Sequence, residues 1–380
     1  MIPTVNPLPS GGLPGAGGSE RMTRNLCLAF DRSRIEPFLV TFTDPGVAGE
    51  ELRKAGVTLF QLDKHGRFDP LFWWALYRLI VRNRIQAVLS MLQGTNVHNL
   101  LVTSQLPKVA RLISYRGGTV QPSLAATEGR LAYLADQLIV PAKHLVTELQ
   151  GKYRIAPERI RAIPNGCDSN RFAYRPYADR ALYREQLDLP PDAFILYTPC
   201  RIEHAKGQDV LASALMQVRD LIVERSVVWI NTGQVQDQAM AVRIDATTRE
   251  LIQHVRLLPP TAEPELWMAA ADAVIIPSRI EAFPNVLLEA AFTGRPFIAT
   301  SFGEVTEVVR RIGGVAVQPG SALELSTALR TLITTPEEER AEQGRKLAAL
   351  AREKYSIEAT AEQFAEAIEQ AYSRRRGKYF

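Results

Sequence analysis

Cysteine is scarce in this chain. Cys27, Cys167 and Cys200 lie far apart with no Cys-x-x-Cys among them, which gives no disulfide framework and fits a reducing cytoplasm. Histidine is equally thin: His65, His98, His144, His204 and His254 are scattered, without the His-Glu-x-x-His or His/Cys spacing of a metal site. No Asp-x-Asp occurs anywhere. No uncharged apolar run reaches the roughly 18 residues of a spanning helix. The first residues lack a basic stretch followed by an apolar core, so no secretory leader is expected. Neither sign of charge dominates, since 45 Lys and Arg against 41 Asp and Glu leave a formal charge of +4. That permits attraction to an anionic membrane or a phosphorylated substrate and does not require nucleic acid. What is present is a globular composition, 46% hydrophobic and 23% charged, over 380 residues, enough for two domains of ordinary size.

Strand and helix periodicities alternate along the whole chain. Met1–Val5 reads as a short first strand. The run Pro7 to Glu20 is too rich in Gly and Pro to be regular, and a helix over Ser19–Phe30 follows. A Gly-rich loop between a strand and a helix start lets backbone N–H groups approach a diphosphate, although such loops also serve as plain linkers. Phe38–Phe42 and Val57–Leu62 read as strands around a short helix. Pro70–Arg84 reads as a helix bearing Phe72, Trp73, Trp74, Leu76, Leu79 and Ile80. It suits the core helix of a βαβ unit, with a membrane-surface helix as the other reading. His98 falls on the next helix and is expected at its surface. The strand Val109–Ser114 ends at Tyr115-Arg116-Gly117-Gly118. Arg116 there is either a surface turn residue or a partner for a phosphate or carboxylate.

A helix over Glu128–Ala135, the strand Gln137–Val140 and a helix over Ala142–Lys152 lead to Pro164-Asn165-Gly166, a strong turn signal, and to an irregular linker over Ser169–Arg180. Beyond the strand Phe194–Thr198 lie Arg201 and Lys206, just before a helix start at Gln208. They form either a solvated basic turn or a grip on a diphosphate from two sides. The most informative stretch is Pro277–Thr300, PSRIEAFPNVLLEAAFTGRPFIAT. A buried strand, Ala273–Ile276, precedes it. Ser278–Phe283 is a loop, Pro284 and Asn285 begin a helix with Asn as its cap, and Thr293-Gly294 end it. Glu281 in the loop and Glu289 one turn into the helix frame a helix N-terminus, which attracts anions. Carboxylates beside an anion site suit a nucleotide sugar. The bland reading makes Glu281 a surface residue and Glu289 an exposed first-turn acid. From Pro336 to Ser373 the chain is helical, with a break at Tyr355-Ser356.

These residues resemble the retaining glycosyltransferases of the large group 1 family. Glu281 and Glu289 match its E-x7-E signature, and Gly294-Arg295-Pro296 its Gly-x-Pro. Gly17-Gly18-Ser19-Glu20-Arg21 is similar to its Gly-Gly-x-Glu-Arg. Arg201 and Lys206-Gly207 match its phosphate-binding pair, although Cys200 stands where Gly is usual. Pro164-Asn165-Gly166-Cys167-Asp168 resembles its interdomain hinge. Two departures concern the ligand: Pro284 stands where many members have Gly, and Arg116 where many have His. The resemblance implies the GT-B architecture, an α/β fold of two Rossmann-like doubly wound domains facing across a cleft. The first domain would span 1–167 on the acceptor side and the second 168–357 on the nucleotide-sugar side. The last helix, within 358–380, would cross back onto the first.

The implied chemistry is transfer of a sugar from a nucleoside diphosphate sugar to a hydroxyl acceptor with retention of configuration. The missing Asp-x-Asp belongs to a different, metal-dependent architecture, so neither metal nor cofactor is expected. Arg201, Lys206 and Glu281 are the catalytic candidates. Gly17, Gly18, Thr261, Asn285, Val286, Leu287 and Glu289 are the donor-binding ones, and Arg116 is a candidate sugar or acceptor contact. The alternatives are another GT-B enzyme, such as an epimerase or a phosphorylase, or a non-catalytic nucleotide-sugar-binding subunit. A cytoplasmic enzyme of surface-polysaccharide or glycolipid assembly is expected, free in solution or peripheral on the membrane's inner face, with a lipid-linked glycan as one acceptor. The basic tail Arg374-Arg375-Arg376 is either solvated or a phospholipid contact. Base, sugar, acceptor and oligomeric state leave no mark in the sequence.

Overall fold

A computed structural model describes residues 18–42, 46–66, 69–116, 122–153 and 155–377. The expected strand Met1–Val5, Gly17 with most of its Gly-rich loop, and Gly117-Gly118 lie outside the described residues. The chain forms two compact units. The first runs to Gly166 and resumes at Ile357; the second runs from Cys167 to Ser356.

In the first unit the order is α1 (Gly18–Ala29), β1 (Phe38–Thr41), α2 (Gly46–Lys54), β2 (Thr58–Gln61), α3 (Pro70–Arg82), β3 (Ala87–Ser90), α4 (Gln93–Thr103), β4 (Ala110–Ser114), α5 (Pro122–Leu131), β5 (Gln137–Val140), α6 (His144–Tyr153) and β6 (Ile160–Ala162). All pairings are parallel. β1 pairs with β2, and β3 to β6 lie side by side in chain order. Alternate strand residues feed two cores. Leu39 and Leu89 join Leu26 of α1 on one face, and Val40 and Val88 join Phe72, Leu76 and Ile80 of α3 on the other. Side chains that alternate across a strand make this two-faced burial the natural result. Asp69 caps α3, its carboxylate accepting from Phe72 N–H at 3.0 Å, with Pro70 in the first turn.

The second unit continues with α7 (Arg180–Gln186), β7 (Phe194–Thr198), α8 (Gln208–Gln217), α9 (Arg219–Glu224), β8 (Val227–Thr232), α10 (Gln238–Thr247), β9 (Val255–Leu258), α11 (Pro264–Ala270), β10 (Ala273–Ile276), α12 (Asn285–Thr293), β11 (Phe297–Thr300), α13 (Glu304–Arg311), β12 (Val315–Val317), α14 (Ala322–Thr334) and α15 (Glu337–Tyr355). Then α16 (Ile357–Gly377) returns to the first unit and packs against α1 and β4. The second unit's six parallel strands run β12-β11-β10-β7-β8-β9. From β7 the chain winds outward one way to β9, and from β10 the other way to β12.

Three local expectations need correction. The helix expected over Glu128–Ala135 begins at Pro122, where proline suits a first turn. The segment Ser169–Arg180 is no loose linker. Tyr177 is buried, donates its hydroxyl to Asp272 Oδ1 at 2.8 Å and accepts from Arg340 Nε at 2.8 Å. Asp272 also holds Arg184 at 2.6 Å and Arg180 at 2.9 Å, so this buried carboxylate pins the segment to α7 and β10. His98 is buried, not on the surface, because Nδ1 accepts from the Trp73 indole of α3 at 2.9 Å.

Candidate functional site

In an open parallel sheet a crevice forms where the winding reverses, outside the carboxyl ends of the strands. In the second unit that point lies between β7 and β10. The loop after β7, Cys200–Gly207, and the loop after β10, Pro277–Phe283, are laced together there. Arg279 N–H donates to Ala205 O at 2.8 Å, and Ile280 N–H to the same oxygen at 3.3 Å. The Arg279 guanidinium reaches His204 O at 3.0 Å and grips Asp209, in the first turn of α8, with bonds of 2.7 and 2.8 Å. Gly207 closes the first loop at φ +69°, and a Cβ there would lie 2.1 Å from Pro277 O. Only glycine satisfies both demands.

This lacing brings two predicted residues into contact. Lys206 Nζ lies 2.6 Å from Glu281 Oε1, and Ser278 Oγ donates to the same oxygen at 2.9 Å. Both partners are largely buried. Burial works against the Lys206 ammonium, but the Glu281 carboxylate outweighs it and lifts Lys206 above the ordinary lysine range. Arg201 stands at the rim, its side chain half exposed, with Nη2 3.0 Å from Glu203 Oε1. The charges of Lys206, Glu281, Glu203 and Arg201 all act on Cys200, whose thiol burial pushes up to about 12. Cys200 is therefore neutral, and its Sγ accepts from Gln208 Nε2 at 3.1 Å.

Helix α12 follows directly. It is apolar nearly all round and enclosed beyond its first two residues, with Leu287, Leu288, Ala290, Ala291 and Phe292 buried. Its start differs from expectation. Pro284 occupies the capping position with no side-chain cap, and Asn285 is the first helical residue. Proline's fixed φ suits the entry, and it brings no side-chain acceptor. The Leu287 N–H donates back to Pro284 O at 3.2 Å, so it is not the open amide the sequence suggested. Asn285 and Val286 form the first turn at the mouth of the helix. Glu289 is buried at 6% exposure, which removes the reading of an exposed surface acid. Thr261 lies in the turn after β9, along the same strand-end edge, with Oγ1 accepting from Glu263 N–H at 3.1 Å.

In the first unit, Gly18 opens α1. Arg116 sits past the carboxyl end of β4, donates to Asn165 Oδ1 at 2.5 Å and lies over the Phe364 ring. Its Nε and Nη2 are buried without a partner among the described residues, and burial lowers it to about 10.

Sequence reasoning overlooked Ser278, Glu203, Asp209 and Arg279, the groups that fix the predicted ones. It also missed Arg295, whose guanidinium is wholly buried. Arg295 donates to the carbonyls of Ala269 at 2.6 Å, Met268 at 3.0 Å and Arg175 at 2.8 Å, closing the end of α11. The one available signal was a charge lodged between an apolar helix and an apolar strand.

Residues 193–335 match the family described as Glycosyl transferases group 1, and residues 16–171 that described as Glycosyltransferase Family 4. A D-inositol 3-phosphate glycosyltransferase of Catenulispora acidiphila is 32% identical over 228 residues, 58% of this chain and 54% of the relative. One from Jonesia denitrificans is 35% identical over 171 residues, 43% of this chain and 40% of the relative. The chain thus spans about half the length, or less, of these curated relatives. Among solved structures, Anabaena Alr3699/HepE in complex with UDP-glucose aligns with TM-score 0.80 at 20% identity, covering 97% of this chain and 99% of that one. Sucrose-phosphate synthase from Thermosynechococcus elongatus aligns with TM-score 0.77 at 20% identity, covering 98% and 99%. With the matched segments lying in both units and the fold that of GT-B enzymes, the chain belongs to the group 1 glycosyltransferases.

Proposed function

We propose that the protein transfers a sugar from a nucleoside diphosphate sugar to a hydroxyl acceptor with retention of anomeric configuration. The observation that carries this reading is the Lys206–Glu281 contact at the point where the sheet reverses, beside a helix N-terminus without a side-chain cap. Cations and a helix N-terminus there suit a diphosphate, and carboxylates beside them suit sugar hydroxyls. HepE has been solved with UDP and with UDP-glucose, which supports a uridine nucleotide as the first donor to try. The curated relatives are named for D-inositol 3-phosphate, which supports a polyol acceptor. A place in surface-polysaccharide or glycolipid assembly fits the same chemistry.

In this mechanism the donor's diphosphate rests against the Asn285 and Val286 amides, and Arg201 and Lys206 neutralise the charge it gains on leaving. Gly17 and Gly18 would add backbone contacts to it. Thr261 lies where backbone groups would hold the base, Glu289 accepts ribose hydroxyl protons, and Glu281 orients the sugar ring. Arg116 is assigned a contact with the sugar or acceptor. The acceptor oxygen attacks the anomeric carbon from the face the diphosphate leaves. The carbon–oxygen bond to the phosphate breaks with its electron pair on the phosphate oxygen, and that oxygen takes the acceptor's proton.

A thermal-shift screen against UDP-, GDP- and ADP-sugars identifies the donor, since a ligand bound only by the folded state raises its melting temperature. With that donor, Lys206→Ala and Glu281→Gln are each expected to lower kcat by about 10²–10³, the scale for loss of one group that stabilises developing charge. Full rates in both variants, or an inverted product by NMR, would overturn the assignment.

A further inference from the structure

Helix α3 has two apolar faces, and among the described residues only one packs into the core. Phe72, Leu76, Leu79 and Ile80 are buried in the first unit's core. Leu71, Trp74 and Val81 point the other way, at 78%, 58% and 51% exposure, and Tyr77 is exposed between them. The Trp73-Trp74 pair is therefore divided, with Trp73 turned to His98 and Trp74 to the outside. Arg78 and Arg82 are exposed along the outer face, and the Arg78 guanidinium stacks 4.7 Å above the Trp74 ring.

The stretch of chain that carries this face is charged with one sign. No Asp or Glu occurs between Asp69 and Glu128, in a chain that holds 41 acids. Asp69 is buried as the cap of α3. Arg84 and Lys108, both exposed, lie just ahead of β3 and β4, paired neighbours in register at Ala87 and Ala110. Arg375 Nε donates to Pro107 O at 2.8 Å, which brings the exposed Arg374 and Arg376 of α16 to the same end of the sheet.

We propose that the outer face of α3 rests on an anionic lipid surface. Leu71, Trp74 and Val81 enter the boundary between headgroups and acyl chains, and Arg78 and Arg82 meet headgroup phosphates. An apolar stripe with an aromatic side chain and flanking arginines is what a helix lying in that boundary needs. A second copy docked through the same face would bring Arg78 and Arg82 no acid from this stretch to pair with. Among the described residues no helix is long and apolar enough to cross a membrane, so the contact is peripheral. This inference does not depend on the donor site.

The test is sedimentation of the full chain with phosphatidylcholine vesicles, with and without one-third phosphatidylglycerol. The chain is expected to bind the anionic vesicles, less so at high salt. Leu71→Ser/Trp74→Ser and Arg78→Ala/Arg82→Ala should each weaken binding about tenfold or more, with melting and the donor-induced thermal shift unchanged. Brominated lipid should quench tryptophan emission in the parent chain and much less in Trp74→Phe. No vesicle binding by the parent, or equal binding by both double variants, would overturn the proposal. So would a dimer lost in those variants without vesicle binding, which would give the face to a second copy.

Discussion

Gly207 shows how one residue without a side chain can position one with a charge. Its left-handed φ and its contact with the Pro277 carbonyl hold the turn that aims Lys206 at Glu281. Gly207→Ala is expected to cost about 1–3 kcal/mol of stability through backbone strain. It should also shrink the donor-induced thermal shift, because the turn must move away from Pro277. Denaturant melts and the thermal shift measure the two effects separately. The residue types of the site were legible in advance: acids at Glu281 and Glu289, cations at Arg201 and Lys206. Their contacts were not. Lys206 and Glu281 lie 75 positions apart, and Asp209 and Arg279 lie 70 apart. Only the strand order of the sheet makes them neighbours, and local periodicity carries no record of strand order. Leu287 was misread for a smaller reason. A helix entered from proline spends that amide on the Pro284 carbonyl.

At the scale of elements, α3 and α4 meet through a pair that gives stability a pH dependence. Burial lowers the His98 imidazole to about 4, helped by the charge of Lys64 and opposed by Asp69. An unfolded chain takes up that proton near the ordinary value of about 6.5. The stability tied to neutral His98 is therefore complete above about 6.5 and falls as the pH drops towards 4, where the folded form protonates as well. The loss is bounded by about 3 kcal/mol. Urea melts between pH 4 and 7 should show this slope, and His98→Gln, which cannot titrate, should flatten it. The elements themselves were largely legible because alternation and helical spacing are local signals. β7 and β10 fall at their expected bounds, and the helices are off mostly by their ends. His98 was misplaced because the indole that buries it comes from another helix. α3 was read as a core helix with a membrane-surface helix as the alternative, since a row of apolar residues does not say which of them find a neighbour.

Across the whole molecule, the first unit is completed by residues from the far end of the chain. Phe364 of α16 is wholly buried among Leu26, Leu89 and Leu112. Phe364→Ala is expected to destabilise the first unit by about 3–5 kcal/mol while leaving the second unit's own melting unchanged. Calorimetry with and without donor would separate the two transitions. The spacing of apolar residues in α16 marks it as an amphipathic helix and no more. Which unit it joins was available only from the family resemblance.

The second unit is thus inserted into the first. Its two ends lie side by side, with Cys167 N–H donating to Tyr355 O at 2.9 Å and Cys167 bridging to Ser356. On a ribosome this reverses the usual order, in which the N-terminal domain folds first. The inserted part is translated later yet is the first to possess its full set of strands and helices. The segment ahead of it must wait with its apolar side open until α16 leaves the exit tunnel, and during that interval it is a natural client for a chaperone.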